Sequence, residues 1–239
     1  MKQYVPEWAR RRYRQLFRLK EHAHNRRRSP EHVFSRIYAQ GLWGKTGDAF
    51  CSGSGSSDAF AADYARMLEA YIREHCIQRV VDLGCGDFAV GGKIAALGID
   101  YTGVDVVPAL VQHLVARYAS PSVRFIQLDI VDDPLPPGDL CLIRQVFQHL
   151  SNQQILKILP KLAQYEHVLI TEHYPGACAR VVPNRNKTQG YDTRILDDSA
   201  VFLDAAPFSQ KVDAVLLERE IAPIKFRGET LRTVRVLAD

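Results

Sequence analysis

Between residues 77 and 171 short apolar runs alternate with stretches of helical periodicity. The runs fall at 79–83, 101–106, 123–128, 138–143 and 167–171, and helical spacing fills 88–97, 108–119 and 145–164. Runs of five or six apolar residues, separated by helices, are what strands buried on both faces require, so the pattern predicts a parallel sheet covered by helices. Two more strand-like runs follow, Val212–Glu218 and Leu231–Leu237, joined by a short link containing Pro223 and Gly228. They predict an antiparallel hairpin at the end of the chain. The expected class is α/β: a doubly wound, mostly parallel seven-stranded sheet with a C-terminal antiparallel hairpin.

Upstream the period is helical. Val5, Ala9, Tyr13, Leu16 and Phe17 share one face of a segment reaching about Lys20, with arginines on the other face. A second short helix is expected at 31–40. Gly41–Ser57 is rich in glycine and serine (Gly-Leu-Trp-Gly-Lys, then Ser-Gly-Ser-Gly-Ser-Ser), and its length favours a lid over a plain linker. Ser57 or Asp58 caps the next helix, which carries Phe60, Tyr64, Met67, Leu68 and Tyr71 to about His75. The chain therefore divides into a basic helical extension with a lid loop, residues 1–57, and a main α/β domain, residues 58–239.

Charge sharpens this division. The net charge of +4 is the sum of unlike parts. Residues 1–30 hold ten Lys/Arg against two Glu, and the rest of the chain holds 21 against 25 acids. The mildly acidic body gives no sign of nucleic-acid binding across its surface. The basic arm either packs with a solvated charged face or makes a peripheral contact with an anionic membrane surface or acidic partner. No run approaches the roughly 18 apolar residues that cross a bilayer, and arginines break the N-terminus where a secretory signal would be apolar. A cytoplasmic location is expected. The five cysteines are odd in number and form no C-x-x-C pair, which predicts free thiols and no metal site.

The chemistry starts at Val80-Val81-Asp82-Leu83-Gly84-Cys85-Gly86-Asp87-Phe88, a buried strand ending in a glycine turn that opens a helix. Glycine lets the backbone turn sharply and a ligand approach without a Cβ. Gly84-x-Gly86-x-x-Ala89, with Asp105 21 residues past Gly84, also fits the dinucleotide fingerprint. A dinucleotide, however, puts a pyrophosphate at this turn, where Asp82 and Asp87 flank the glycines. Like charges in a partly buried turn cost several kcal/mol. S-adenosylmethionine (SAM) has no phosphate and carries two cationic groups, so the acids attract it. An NAD(P)-dependent oxidoreductase is the rival on the same fold, and a non-catalytic SAM-binding partner protein is a second one.

The apolar strand followed by Asp-x-Gly-x-Gly resembles class I SAM-dependent methyltransferases over about residues 78–172. The resemblance implies that Gly84 and Gly86 shape the cofactor turn and Asp82 faces the methionine end. It implies that Asp105, ending Tyr101-Thr102-Gly103-Val104-Asp105, accepts both ribose hydroxyls. Asp129, after Phe125-Ile126-Gln127-Leu128, would take the adenine amino group, and the Ile130 N–H the ring nitrogen. Asp139–Gln145 is similar to the fourth strand, which brings Gln145 to the cofactor.

Ligands of open α/β sheets lie beyond the carboxyl ends of the strands, so acceptor-side candidates are Arg144, Gln145, Gln148, His149, Thr171, Glu172 and His173. A hydroxyl acceptor needs a base, and histidine suits neutral pH. Gln148-His149-Leu150-Ser151-Asn152 is similar to the His-Asp-Trp-Ser-Asp stretch of small-molecule O-methyltransferases, but aligned serines put Gln148 at the base position. His149 and His173, the latter beside Glu172, are the two candidate catalytic residues. No Asn/Asp-Pro-Pro-Tyr/Phe follows the fourth strand, which disfavours nucleic-acid substrates. The polar loop Asn184–Arg194, dotted with hydrogen-bonding side chains, suits a hydroxyl-rich acceptor. The whole pattern is similar to uncharacterised bacterial methyltransferases associated with surface-glycan pathways. The expected activity is methyl transfer from SAM to a small-molecule oxygen on a sugar or glycolipid precursor.

Overall fold

A computed structural model describes residues 7–44, 50–53 and 58–237. Val5, Lys45 and Ser54–Ser57, with Ser57 as a helix cap, lie outside them, as do the side chains of Ala9, Tyr13 and Asp58. Seven strands form one sheet: β1 (Arg79–Leu83), β2 (Asp100–Asp105), β3 (Val123–Gln127), β4 (Leu140–Arg144), β5 (His167–Tyr174), β6 (Lys211–Glu220) and β7 (Thr230–Leu237). Their order is β3-β2-β1-β4-β5-β7-β6. The first five run parallel, and β7 lies antiparallel between β5 and β6. The hairpin thus folds back, so that β7 rather than β6 extends the parallel set. Strand order reverses between β1 and β4, the switch point where such sheets open a crevice for ligands.

Helices cover both faces because β1, β4 and β5 are apolar on both sides. One core packs Tyr64 and Leu68 of α3 (Asp58–Glu74), Ile94 of α4 (Gly91–Ala95) and Leu110 and Leu114 of α5 (Pro108–Tyr118) on one face. Ile155 and Ile158 of α6 (Asn152–Ile158) lie on the other, against Val81, Ile143 and Val168. Two further helices precede α3, α1 (Glu7–Asn25) and α2 (Pro30–Gln40).

The helical stretch expected at 145–164 is interrupted. It divides into a 3-10 turn at Phe147–His149, then α6, then a second 3-10 turn at Leu159–Gln164. Ser151 restarts the helix: its Oγ accepts the Gln154 N–H while the Gln154 side chain takes the Ser151 N–H. Pro160 then sits in the first turn of the second 3-10 segment, where its missing N–H costs least. The helix expected at 88–97 shrinks to Gly91–Ala95, since Phe88 adopts a left-handed φ of 65°.

Candidate functional site

Gly84 and Gly86 have φ values of 79° and 58°, and the N–H groups of Gly84 and Cys85 both donate to the Val104 carbonyl at 2.8 and 3.0 Å. That pair of bonds ties the turn to the end of β2. A Cβ on Gly84 would lie 2.5 Å from Val146 Cγ2, and one on Gly86 2.5 Å from Ser52 Oγ. The second contact exists because the segment Phe50–Gly53 docks on the turn. Ser52 N donates to Asp87 Oδ2 at 2.8 Å and Asp87 N to Ser52 Oγ at 2.7 Å, with Tyr38 Oη 2.8 Å from the same Oγ.

A cavity of about 910 Å³ opens beyond the strand ends. Gly84, Gly86, Asp105, Asp129, Ile130 and Gln145 stand on its wall. Asp105 accepts the Gly86 and Val107 N–H groups at 3.2 and 3.1 Å, and burial pushes its carboxyl up to about 6. Burial also raises Asp129, against the Val131 N–H that its Oδ1 accepts at 2.9 Å. Asp82 is placed differently from the expectation. It lies outside the cavity wall, buried, and its carboxylate accepts the Tyr101 hydroxyl at 2.6 Å. Asp82 pairs with Gly103 in the β1–β2 register, which puts its side chain on the same face of the sheet as Tyr101, two residues before Gly103.

Gln145 closes β4 with a left-handed φ of 57° and donates its N–H to the Thr171 carbonyl at 2.7 Å. Such backbone persists where surroundings over-determine it, often at ligand sites. Here the surroundings are Glu172, whose two oxygens accept the Phe147 and Gln148 N–H groups at 2.8 and 3.2 Å. Burial moves this carboxyl up to about 8. Glu172 therefore holds the turn after β4 and does not orient His173. Successive strand residues face opposite sides of a sheet, which explains the parting of the two.

The two histidines share the cavity wall in unlike states. His149 donates Nδ1–H to the Gly190 carbonyl at 3.1 Å, and the Gln148 amide reaches its Nε2 at 3.3 Å. Burial, aided by Lys187, lowers it to about 3. Its ring sits 5.1 Å from that of Trp43. Both nitrogens are occupied and protonation is disfavoured. His173 donates Nε2–H to Glu229 at 2.9 Å, with both side chains buried. Glu229 also accepts the N–H groups of Ile224, Lys225 and Phe226. Burial acts to raise Glu229, but these donors and His173 outweigh it and hold the carboxylate low. Glu229 escaped the sequence reading. Its signal was the hairpin: β7 pairs Thr230 with Tyr174, so the residue before β7 falls beside the end of β5.

The other wall is a roof made of remote segments. Trp43 Nε1 donates to the Tyr191 carbonyl at 2.9 Å, and Asn25 Nδ2 to the Gln189 carbonyl at 3.1 Å. Buried Asp192 accepts from Arg18, His22 and Lys187 at 2.8, 3.0 and 2.9 Å. Burial would raise its pKa, yet His22 and Lys187 hold it far below the usual carboxylate range. Among the described residues no three His, Cys, Asp or Glu side chains gather where they could hold a metal ion.

Residues 80–167, from β1 to the start of β5, match the family described as "Methyltransferase domain". The N-methyltransferase NodS from Bradyrhizobium japonicum WM9, solved with S-adenosyl-L-homocysteine (SAH), superposes with a TM-score of 0.59 at 13% identity, covering 84% of this chain and 96% of that one. Human N-acetylserotonin methyltransferase, solved with SAM, gives 0.50 at 16% identity over 87% of this chain and 60% of that one. No curated protein matches the sequence. The architecture is the Rossmann-like fold of class I SAM-dependent methyltransferases.

Proposed function

We propose that this chain binds SAM against the glycine turn and methylates an oxygen of a small, hydroxyl-rich acceptor in the cytoplasm, such as a sugar or glycolipid precursor. One observation carries the reading: a single cavity joins the carboxylate-bearing ends of β2 and β3 to the His173–Glu229 pair. Its volume is near the upper end for ligand sites, which leaves room for a nucleoside cofactor and an acceptor together.

The residues present fit the cofactor. Gly84 and Gly86 admit it close to the backbone, while Asp105 and Asp129 offer acceptors for a ribose diol and an adenine amine. Asp87, in the turn itself and on the cavity wall, opposes a pyrophosphate. SAM, when bound, supplies an electrophilic methyl group. Gln145 and the turn held by Glu172 would fix the geometry on the β4 side, since alignment is the larger part of such catalysis. Glu229 keeps the His173 proton on Nε2 and leaves Nδ1 as the base for the acceptor hydroxyl. His149, bonded at both nitrogens and hard to protonate, braces the roof instead. Trp43 and Tyr191 offer ring faces, and Gln148 and Thr193 hydrogen-bonding groups, of the kind a sugar uses.

Calorimetry with SAH and NAD tests the cofactor, and SAH release over a panel of sugars, phenols and amines tests the acceptor. Tight binding of SAH and turnover confined to hydroxyl acceptors are expected. Binding of NAD alone would refute the cofactor assignment, and turnover of amines alone would refute the oxygen.

A further inference from the structure

Over its described side chains, Arg12 and Leu16–Asn25, helix α1 is built inside out. On the side facing the body stand Phe17, Arg18, Glu21, His22 and Asn25, and their partners are mostly polar: Asp192, Asp197, Arg36 and the Gln189 carbonyl. At 100° per residue the opposite side is formed by Arg12, Leu16, Leu19 and Ala23, with Lys20 on its flank. All five are exposed, Leu16 at 53% and Leu19 at 59%. Just past the helix Arg26, Arg27 and Arg28 are exposed as well. A helix that only packs on its own domain turns its leucines inward. This one spends its inward face on charge pairs and turns leucines out, framed by cations.

We propose that the outer face of α1 docks on an anionic lipid bilayer, with Leu16 and Leu19 entering the headgroup boundary and Arg12, Lys20 and Arg26–Arg28 meeting lipid phosphates and carboxylates. Amphipathic helices lie on membranes with this division of labour. The charge balance selects the occupant. A second copy of the chain presenting the same basic face would be repelled, and a nucleic acid would not use the two leucines at the centre of the patch. No helix of the described residues is long and apolar enough to span a bilayer, so the contact is peripheral. The inner face of α1 holds Asp192 on the cavity wall, which couples the docked surface to the roof of the site.

The test is flotation of the full chain with vesicles of phosphatidylcholine alone or with about one third phosphatidylserine. Binding to the anionic vesicles only is expected, with about a fivefold loss for each charge removed near the surface and a further loss as salt is raised. Leu16→Glu/Leu19→Glu and Lys20→Glu/Arg27→Glu should each reduce binding at least tenfold while unfolding at the same temperature as the parent. Absence of flotation with anionic vesicles, or full binding by the leucine variant, would overturn the proposal. So would retention on DNA or RNA without vesicle binding.

Discussion

At the cofactor end of the cavity, backbone does the shaping. Two glycines at positive φ, carbonyl bonds from β2 and the ends of three adjacent strands set the surface, and the residues involved lie between 83 and 130. At the roof, side chains do it. Arg18 and Asp192, 174 positions apart, meet in a cluster of polar side chains that also draws in Asp197, His22 and Lys187. The first arrangement is rigid because the sheet cannot move without breaking ladders. The second is a latch: a few charge-assisted bonds between elements that share little core. A ligand site assembled this way can keep one half fixed while the other opens, as lids over transferase sites do.

The sharpest way to break this contrast is Asp192→Ala. It strands Lys187, which is buried and already held below its ordinary pKa by that burial despite Asp192. Removing one partner of a buried pair costs on the order of 3 kcal/mol. Loss of protection in hydrogen exchange should appear in α1 and residues 184–197, while SAH affinity changes little. Equal loss across β1–β5 would show that latch and sheet form one cooperative unit.

Next in size is Gly84→Ala, aimed at the other half. The substitution meets Val146 and an unfavourable left-handed backbone, together about 2–4 kcal/mol. Here SAH binding should vanish along with stability, measured by calorimetry and urea unfolding. Retained binding would mean that the turn does not shape the cofactor site.

What could be read from the sequence follows the same contrast. Strands β1 to β5, the two glycines and the strand-end Asp105 and Asp129 were legible because each depends on local chain: apolar runs, turn chemistry, a carboxylate at a predicted end. Asp82 was legible as a residue but not as a partner, since its hydroxyl donor comes from Tyr101 on the next strand. Glu229 and the Arg18–Asp192 latch were invisible because their meaning lies in pairings of residues 56 and 174 positions apart. The broken helix at 145–164 was half legible. Ser151 and Gln154 spell a capping box, but apolar periodicity runs through it.

Asp105 sharpens the cofactor half in a graded way. Asp105→Ala should weaken SAM binding by roughly 1–3 kcal/mol through lost charge-assisted bonds. The pH dependence has a definite sign. With its carboxyl near 6, raised chiefly by burial, Asp105 is ionised and able to accept two hydroxyls above that value. Affinity should be flat above about pH 7 and fall as pH drops through 6, because protonation removes acceptors that the ligand needs. Asp105→Asn should flatten the curve. An unchanged curve in that variant would move the titrating group elsewhere.

The smallest change tests whether the roof opens at all. Trp43→Phe keeps an aromatic ring against Tyr38 and His149 but deletes the Nε1 donor to the Tyr191 carbonyl. The loss is about 1 kcal/mol, or roughly fivefold in an equilibrium between closed and open roofs. Because the cofactor's own contacts are untouched, the equilibrium constant for SAH should move less than its dissociation rate. Stopped-flow release of SAH should accelerate up to about fivefold, with association faster in step, if opening gates both directions. Unchanged rates would mean that the latch at Asp192, and not the indole, holds the roof shut. In that case Arg18→Gln should produce the acceleration in its place.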